Sequence, residues 1–99
     1  MNRFYVVVVN VNPGLTTQDV QNVLAHQMHW MRIANNVWVV DTPLAPSWLY
    51  ERLAPLVRPS GTLFVSALDL NDRQGLMPKA FWDWVNQRLG DPMRLFRSP

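Results

Sequence analysis

The feature that most constrains the fold is an unbroken apolar run near the amino terminus. Residues 4–9 contain no polar side chain and include four consecutive valines. β-branched and aromatic residues pack well on a pleated surface, and a run this short that leads to Asn12-Pro13-Gly14 predicts a strand rather than a helix. Because a strand that is apolar on both faces belongs inside a covered sheet, we predict a central strand with Asn10 and Asn12 at its carboxyl end.

A helix and two further strands are predicted next. Thr16 is a good N-cap, and Asp19 completes a shortened capping box for a helix over residues 17–27. Residues 29–33 and 37–41 are predicted strands, joined by a tight hairpin at Asn35-Asn36. The second of these strands is again apolar on both faces. We therefore place it in the centre of the sheet, beside the first strand.

The second half of the chain repeats this alternation. Pro46 begins a helix at the position where its missing N–H costs nothing, and Pro55 is expected to shorten or kink that helix. A fourth strand is predicted over residues 62–68, and a polar loop over 69–75. Pro78 then opens a third helix that Gly90 closes. The predicted buried stripes are Leu49, Leu53, Leu56 and Val57 in the second helix and Phe81, Trp82, Val85 and Leu89 in the third.

The order β-α-β-β-α-β followed by a helix is the ferredoxin-like split βαβ arrangement, an α+β two-layer sandwich. Right-handed crossovers place the first and third strands in its centre, which agrees with the two most apolar runs. We predict a single ferredoxin-like domain over residues 1–99, with a core over 3–90 and a tail over 91–99.

Composition narrows the classes of function. Cysteine is absent, which excludes disulfides and thiolate metal sites. We see neither a signal-peptide layout nor an apolar segment of membrane-spanning length, so we expect a cytoplasmic protein with no membrane partner. The net charge is only +2 and the nine basic residues are scattered, which argues against a basic stripe for nucleic acid. Five tryptophans favour contact surfaces instead.

Few residues suggest chemistry. Asn10 and Asn12 could bind a nucleotide or an ion, but we favour a role in ending the strand and shaping the turn. The spacing of His26 and His29 suggests a metal site, but we predict none there because the two rings would diverge. Asp69, Asn71 and Asp72 resemble the start of a calcium loop whose glycine and glutamate are displaced, and we interpret them as a solvated loop.

Nucleic-acid binding would use aromatic and basic side chains. Trp30, Trp38 and Trp48 could stack bases, with Arg32 and Arg58 as further candidate contacts. No consensus motif of RNA-recognition domains accompanies them. We expect Trp38 to serve the core or a dimer contact.

Short motifs along nearly the whole chain resemble a known family. They are Tyr5-Val6-Val7 with Asn10-Val11-Asn12-Pro13-Gly14, Trp30, Asn36-Val37-Trp38-Val39-Val40-Asp41-Thr42, Arg52-Leu53, Leu63-Phe64-Val65 and Asp83-Trp84-Val85. In these motifs the chain resembles the SinR-like and virulence-associated-protein-D relatives of the small CRISPR adaptation nuclease.

The resemblance implies a ferredoxin-like protomer that pairs as a homodimer and, in some members, a metal-dependent nuclease. In the family, that activity is attributed to an aspartate at the end of the first strand, which is paired across the dimer and holds a divalent cation. Asn10 stands at the matching position, and an amide lacks the charge that magnesium prefers. We therefore assign no catalytic residue, no metal site and no cofactor.

Three hypotheses follow. The leading one is a dimeric, non-catalytic interaction or assembly protein of SinR-like type, in a defence or mobile-element system. The second is a metal-dependent endonuclease of the CRISPR adaptation class, in which Asp41 or Asp69 would help Asn10 to hold magnesium. The third is a single-stranded RNA-binding module.

Overall fold

The computed structural model describes residues 3–25 and 28–89, and this part of the chain is a mixed α+β protein. Its strands form one four-stranded antiparallel sheet in the order β2-β3-β1-β4. The prediction that the first and third strands are central is therefore confirmed. The described elements are β1 (Arg3–Asn10), α1 (Thr17–Leu24), β2 (His29–Ala34), β3 (Val37–Thr42), α2 (Pro46–Val57), β4 (Thr62–Ala67) and α3 (Lys79–Leu89).

The chain divides into two compact units. The first runs to Leu68 and contains the sheet with α1 and α2, and the second begins at Asp69 and contains α3. The single domain stays a prediction. The first helix was predicted over residues 17–27, but α1 ends at Leu24 with Ala25 as its C-cap. Gly90 as the end of α3, the tail over 91–99, and residues 26 and 27 lie outside the described residues.

One face of the sheet packs against α1 and α2, and we call it the helix face. Alternate residues of β1 point to this face and are almost completely buried: Tyr5, Val7 and Val9. In the register with β3, Val7 lies opposite Trp38. The two helices contribute Val20, Leu24, Leu49 and Leu53 to the same cluster. Each fully buried side chain of this kind contributes roughly 1.5–3 kcal/mol, so this cluster is the main source of stability in the first unit.

The opposite side of the sheet, which we call the second face, is also apolar but more open. Val6 and Val8 are half-buried there, and Val39 is buried. Phe64 of β4 lies opposite Val8 and leaves 60% of its surface exposed. The prediction that the central strands are apolar on both faces therefore holds, and the second face is open along β4.

The two helix starts follow their sequence signals. The backbone N–H of Thr16 donates to the Asp19 carboxylate at 2.8 Å, which completes the predicted capping box. Pro46 occupies the first turn of α2. This helix continues past Pro55 to Val57, and the Glu51 carbonyl that loses its partner belongs to an exposed residue that water can reach.

The second unit has a small polar centre of its own. The Arg73 guanidinium donates to the Leu70 carbonyl and to Oδ1 of Asn86, both at 2.9 Å, and it lies 5.8 Å from the centre of the Trp82 ring. Phe81 packs edge to face on Trp82. In the predicted stripe of α3, Phe81, Trp82 and Val85 are buried, whereas Leu89 is half-buried and Asn86 is buried instead.

None of the described helices is both long and apolar enough to cross a membrane.

Candidate functional site

Asn10 connects three strands at one end of the sheet. Its amide oxygen accepts a hydrogen bond from Nδ2 of Asn36 in the β2–β3 hairpin at 2.8 Å. Its amide nitrogen donates to Oγ1 of Thr62, the first residue of β4, also at 2.8 Å. The backbone N–H of Val9 donates to the Asn36 carbonyl at 2.9 Å, which brings the hairpin to this position. Both polar atoms of the Asn10 side-chain amide are therefore used in hydrogen bonds that join parts of the sheet.

Asn12 performs a similar task for the connection between α2 and β4. Its Oδ1 accepts hydrogen bonds from the backbone N–H groups of Ser60 at 3.0 Å and Gly61 at 3.1 Å. Its Nδ2 donates to the carbonyl of Arg58, and its backbone N–H donates to the carbonyl of Leu56 at 2.9 Å. The loop after β1 is thus fastened to the turn after α2.

Gly61 makes the close approach of these two segments possible. A Cβ atom at this position would lie 2.0 Å from the Asn10 carbonyl oxygen, a distance that no side chain can occupy. Pro59-Ser60-Gly61 has the composition of an ordinary turn. That composition contains no signal for this contact, because Asn10 and Gly61 meet only when β4 pairs with β1.

The remaining candidate acids are placed differently. Asp41 is buried on β3 and lies opposite Phe4, at the other end of β1 from Asn10. Six residues of extended strand span roughly 20 Å, so within one protomer Asp41 and Asn10 do not share an ion. Asp69 belongs to the second unit, where its carboxylate accepts the N–H of Asn71 at 2.9 Å in a local turn.

The candidate metal ligands do not converge in the described part of the chain. No group of three or more His, Cys, Asp or Glu side chains lies close enough to hold a metal ion there. His29 is an exposed residue of the edge strand β2, and His26 lies outside the described residues. Asn10 and Asn12 are neutral amides, and hard cations are held mainly by carboxylates.

Two of the candidate tryptophans lie on the helix face of the sheet. Trp38 is completely buried in the core, and Trp30 packs against the same cluster from β2. Trp48 packs against the core from α2 and carries the Arg52 guanidinium 4.9 Å from its ring centre. Bases that stack on a sheet need an open face, and the second face carries neither Trp30 nor Trp38.

The candidate arginines make contacts within the first unit. Arg32 donates to the Asn35 carbonyl at 2.6 Å and to the Ala34 carbonyl at 3.1 Å, so it caps the hairpin turn. Its guanidinium lies 5.6 Å from the Trp38 ring centre. Arg58 donates to the Tyr50 hydroxyl at 2.6 Å. Both side chains are exposed, yet each already has donors engaged.

No protein-family model, no curated protein and no solved structure matches this chain.

Proposed function

We propose that this chain is a small homodimeric interaction or assembly protein of SinR-like type, without catalytic machinery, which acts in the cytoplasm within a defence or mobile-element system. One observation carries the proposal. The position that corresponds to the catalytic aspartate of the resembling family is Asn10, and both ends of its amide are bonded, to Asn36 and to Thr62. A residue used in this way supports architecture rather than chemistry.

The ferredoxin-like fold is part of the same proposal. The element order β-α-β-β-α-β, the strand order β2-β3-β1-β4 and the packing of α1 and α2 on one face all support it. In this arrangement the second face needs another cover.

The open part of the second face supports the homodimer. Phe64 is 60% exposed, and the half-buried Val6 and Val8 lie beside it on β1. Neighbouring exposed apolar side chains on a sheet are an aggregation liability unless a partner covers them. A second copy that packs beside Phe64 would remove part of this apolar surface from water.

The decisive experiment on catalysis incubates the purified chain with single- and double-stranded DNA and RNA in magnesium. We expect no cleavage above that of a sample containing a chelator. Magnesium-dependent cleavage that is lost in Asp41→Asn or Asp69→Asn would contradict the proposal and establish the endonuclease alternative. Asn10→Asp is the matched variant, because it adds the family's carboxylate to the same scaffold.

Binding without cleavage is measured on the same samples. We expect no salt-sensitive retention of single-stranded RNA, because Arg32 and Arg58 are engaged within the chain. Tight binding that weakens steeply as salt is raised, and that is reduced in Arg58→Gln, would favour the RNA-binding module instead.

A further inference from the structure

The geometry of β4 points to the place where two copies meet. We propose that the outer edge of β4 pairs antiparallel with β4 of a second copy, about a two-fold axis that passes beside Val65. This inference rests on the proposed homodimer and specifies its interface. The product is a continuous sheet in which the two β4 strands lie at the centre.

The backbone of β4 leaves hydrogen-bonding groups unused on its outer side. The N–H of Leu68 donates to the Phe4 carbonyl at 2.9 Å, and antiparallel ladders alternate, so the even-numbered residues of β4 bond to β1. Leu63, Val65 and Ala67 therefore point their N–H and C=O groups outward. Within residues 3–25 and 28–89, the outward groups of Leu63 and Val65 make no hydrogen bond. The Ala67 carbonyl has only a 3.4 Å contact with the Ser66 hydroxyl.

The two edge strands of the sheet, β2 and β4, differ in how well they are protected against pairing with a strand of another chain. Strand β2 carries Arg32 and His29, and its pairing with β3 shifts register between Arg32 and Ala34. Charged side chains and irregular pairing are the usual devices that stop an edge from accepting another strand. Strand β4 has no charged residue and no proline, and its register with β1 is regular. Two β4 strands bring no like charges together, whereas two β2 strands would oppose arginines in a chain that is already net positive.

The side chains of β4 are self-complementary in one register. With Val65 opposite Val65 of the second copy, all three outward residues find backbone partners, since Leu63 then lies opposite Ala67. On the second face the same register places Phe64 opposite the small Ser66. The two Phe64 rings become diagonal neighbours, a spacing of about 7–8 Å that aromatic side chains can bridge. The Phe64 ring thus gains a contact with its own copy, while Val6 and Val8 stay on the open second face.

The interface can be mapped with single cysteines, because the natural chain has none. Ser66→Cys and Met31→Cys are matched: both residues are half-buried on the second face, but they lie on opposite edge strands. In the proposed dimer the two Ser66 positions are about 7–8 Å apart, whereas the two Met31 positions are seven strand spacings apart, about 33 Å. We expect a short bis-maleimide to convert Ser66→Cys to covalent dimer and to leave Met31→Cys monomeric on a denaturing gel.

A second variant tests the backbone itself. Ala67→Pro removes an outward N–H and leaves the ladder to β1 intact, and Ala67→Ser is its control because it keeps that N–H. We expect Ala67→Pro to run as a folded monomer in light scattering and circular dichroism, and Ala67→Ser to remain dimeric. If Ala67→Pro fails to fold, the cross-linking of Ser66→Cys and Met31→Cys alone tests the interface.

A failure of the proposed β4 interface can be distinguished from a failure of the proposed homodimer. A wild-type dimer that gives no Ser66→Cys cross-link, or that cross-links equally at Met31→Cys, would overturn the edge-paired interface and leave the homodimer standing. A wild-type monomer would overturn both, and a monomer that recruits an extended peptide of another protein to β4 would do the same.

Discussion

The amide oxygen of Asn10 accepts a hydrogen bond from the amide nitrogen of Asn36 at 2.8 Å, although the two residues are 26 positions apart in the chain. Asn10 ends a central strand and Asn36 lies in the hairpin between the other two strands on that side of the sheet. The polar residue at the end of β1 therefore bonds the hairpin to the centre of the sheet. This structural role explains why an asparagine follows the apolar run of β1.

Replacing Asn10 tests this role. Asn10→Ala removes two side-chain hydrogen bonds, one to Asn36 and one to Thr62. Because the site is exposed, we expect a loss of about 1 kcal/mol in the free energy of unfolding, measured by urea titration at fixed protein concentration. Asn22→Ala is the control, since it removes one local bond to Gln18 on the surface of α1. Equal effects in the two variants would contradict a tethering role for Asn10.

Gly61 should tolerate no side chain. The Cβ of Gly61→Ala would lie 2.0 Å from the Asn10 carbonyl oxygen and 3.0 Å from backbone atoms of Val57, so backbone must move. We expect a loss of more than about 2 kcal/mol in thermal or urea unfolding. At Gly75 the nearest atom to an added Cβ is a Trp82 side-chain carbon at 3.8 Å. Gly75→Ala should therefore be close to neutral, and similar losses at both positions would argue against the close approach.

Asn12 should contribute to the stability of the fold through its side-chain amide, whereas Ser60 should contribute only through its backbone N–H. Asn12→Ala removes the partner of the Ser60 N–H and of the Arg58 carbonyl, whereas the Gly61 N–H still donates to the Val57 carbonyl. Because Ser60 and Arg58 are exposed, we expect a loss of about 1 kcal/mol in the free energy of unfolding. Ser60→Ala keeps the bonded N–H and should cost little. If Ser60→Ala were destabilised and Asn12→Ala were not, the Ser60 side chain rather than the Asn12 amide would stabilise this connection.

The stability lost when a tryptophan is replaced by alanine should increase with the burial of its side chain. Trp38 is completely buried, so Trp38→Ala should cost about 3–5 kcal/mol through the cavity that it leaves. Trp48 is only half-buried, and Trp48→Ala should cost distinctly less. Urea unfolding followed by far-ultraviolet circular dichroism measures both without relying on the removed fluorophore. If Trp38→Ala unfolded at the same urea concentration as the wild type, the core assignment of Trp38 would be wrong.

The sequence predicted the elements well where the signal was local. Runs of valine indicated β1 and β3 as the central strands, and Asn35-Asn36 indicated the hairpin, because these signals depend on neighbouring residues. The ends of β2, β3 and β4 each shifted by one residue. The helix α2 continues past Pro55 to Val57, which agrees with the predicted stripe that included Leu56 and Val57 and differs from the expected shortening.

The candidate site was predictable only in part. The residues Asn10 and Asn12 were identified from their place after an apolar strand, but their partners were not. Thr62 is 52 positions from Asn10, and Gly61 is 49 from Asn12, so only the pairing of β1 with β4 brings them together. The pairing of β1 with β3 separates Asp41 from Asn10, which a linear pattern cannot show.

In the proposed homodimer, two copies of this chain associate through the apolar surface around Phe64. Multi-angle light scattering at micromolar concentration should give about twice the 11.5 kDa chain mass for the wild type. Phe64→Glu, at a position that is 60% exposed, should give the mass of one folded chain, and Leu15→Glu, at another exposed apolar position, should remain dimeric. A wild type that stays strictly monomeric, or a Phe64→Glu variant that stays dimeric, would contradict the account.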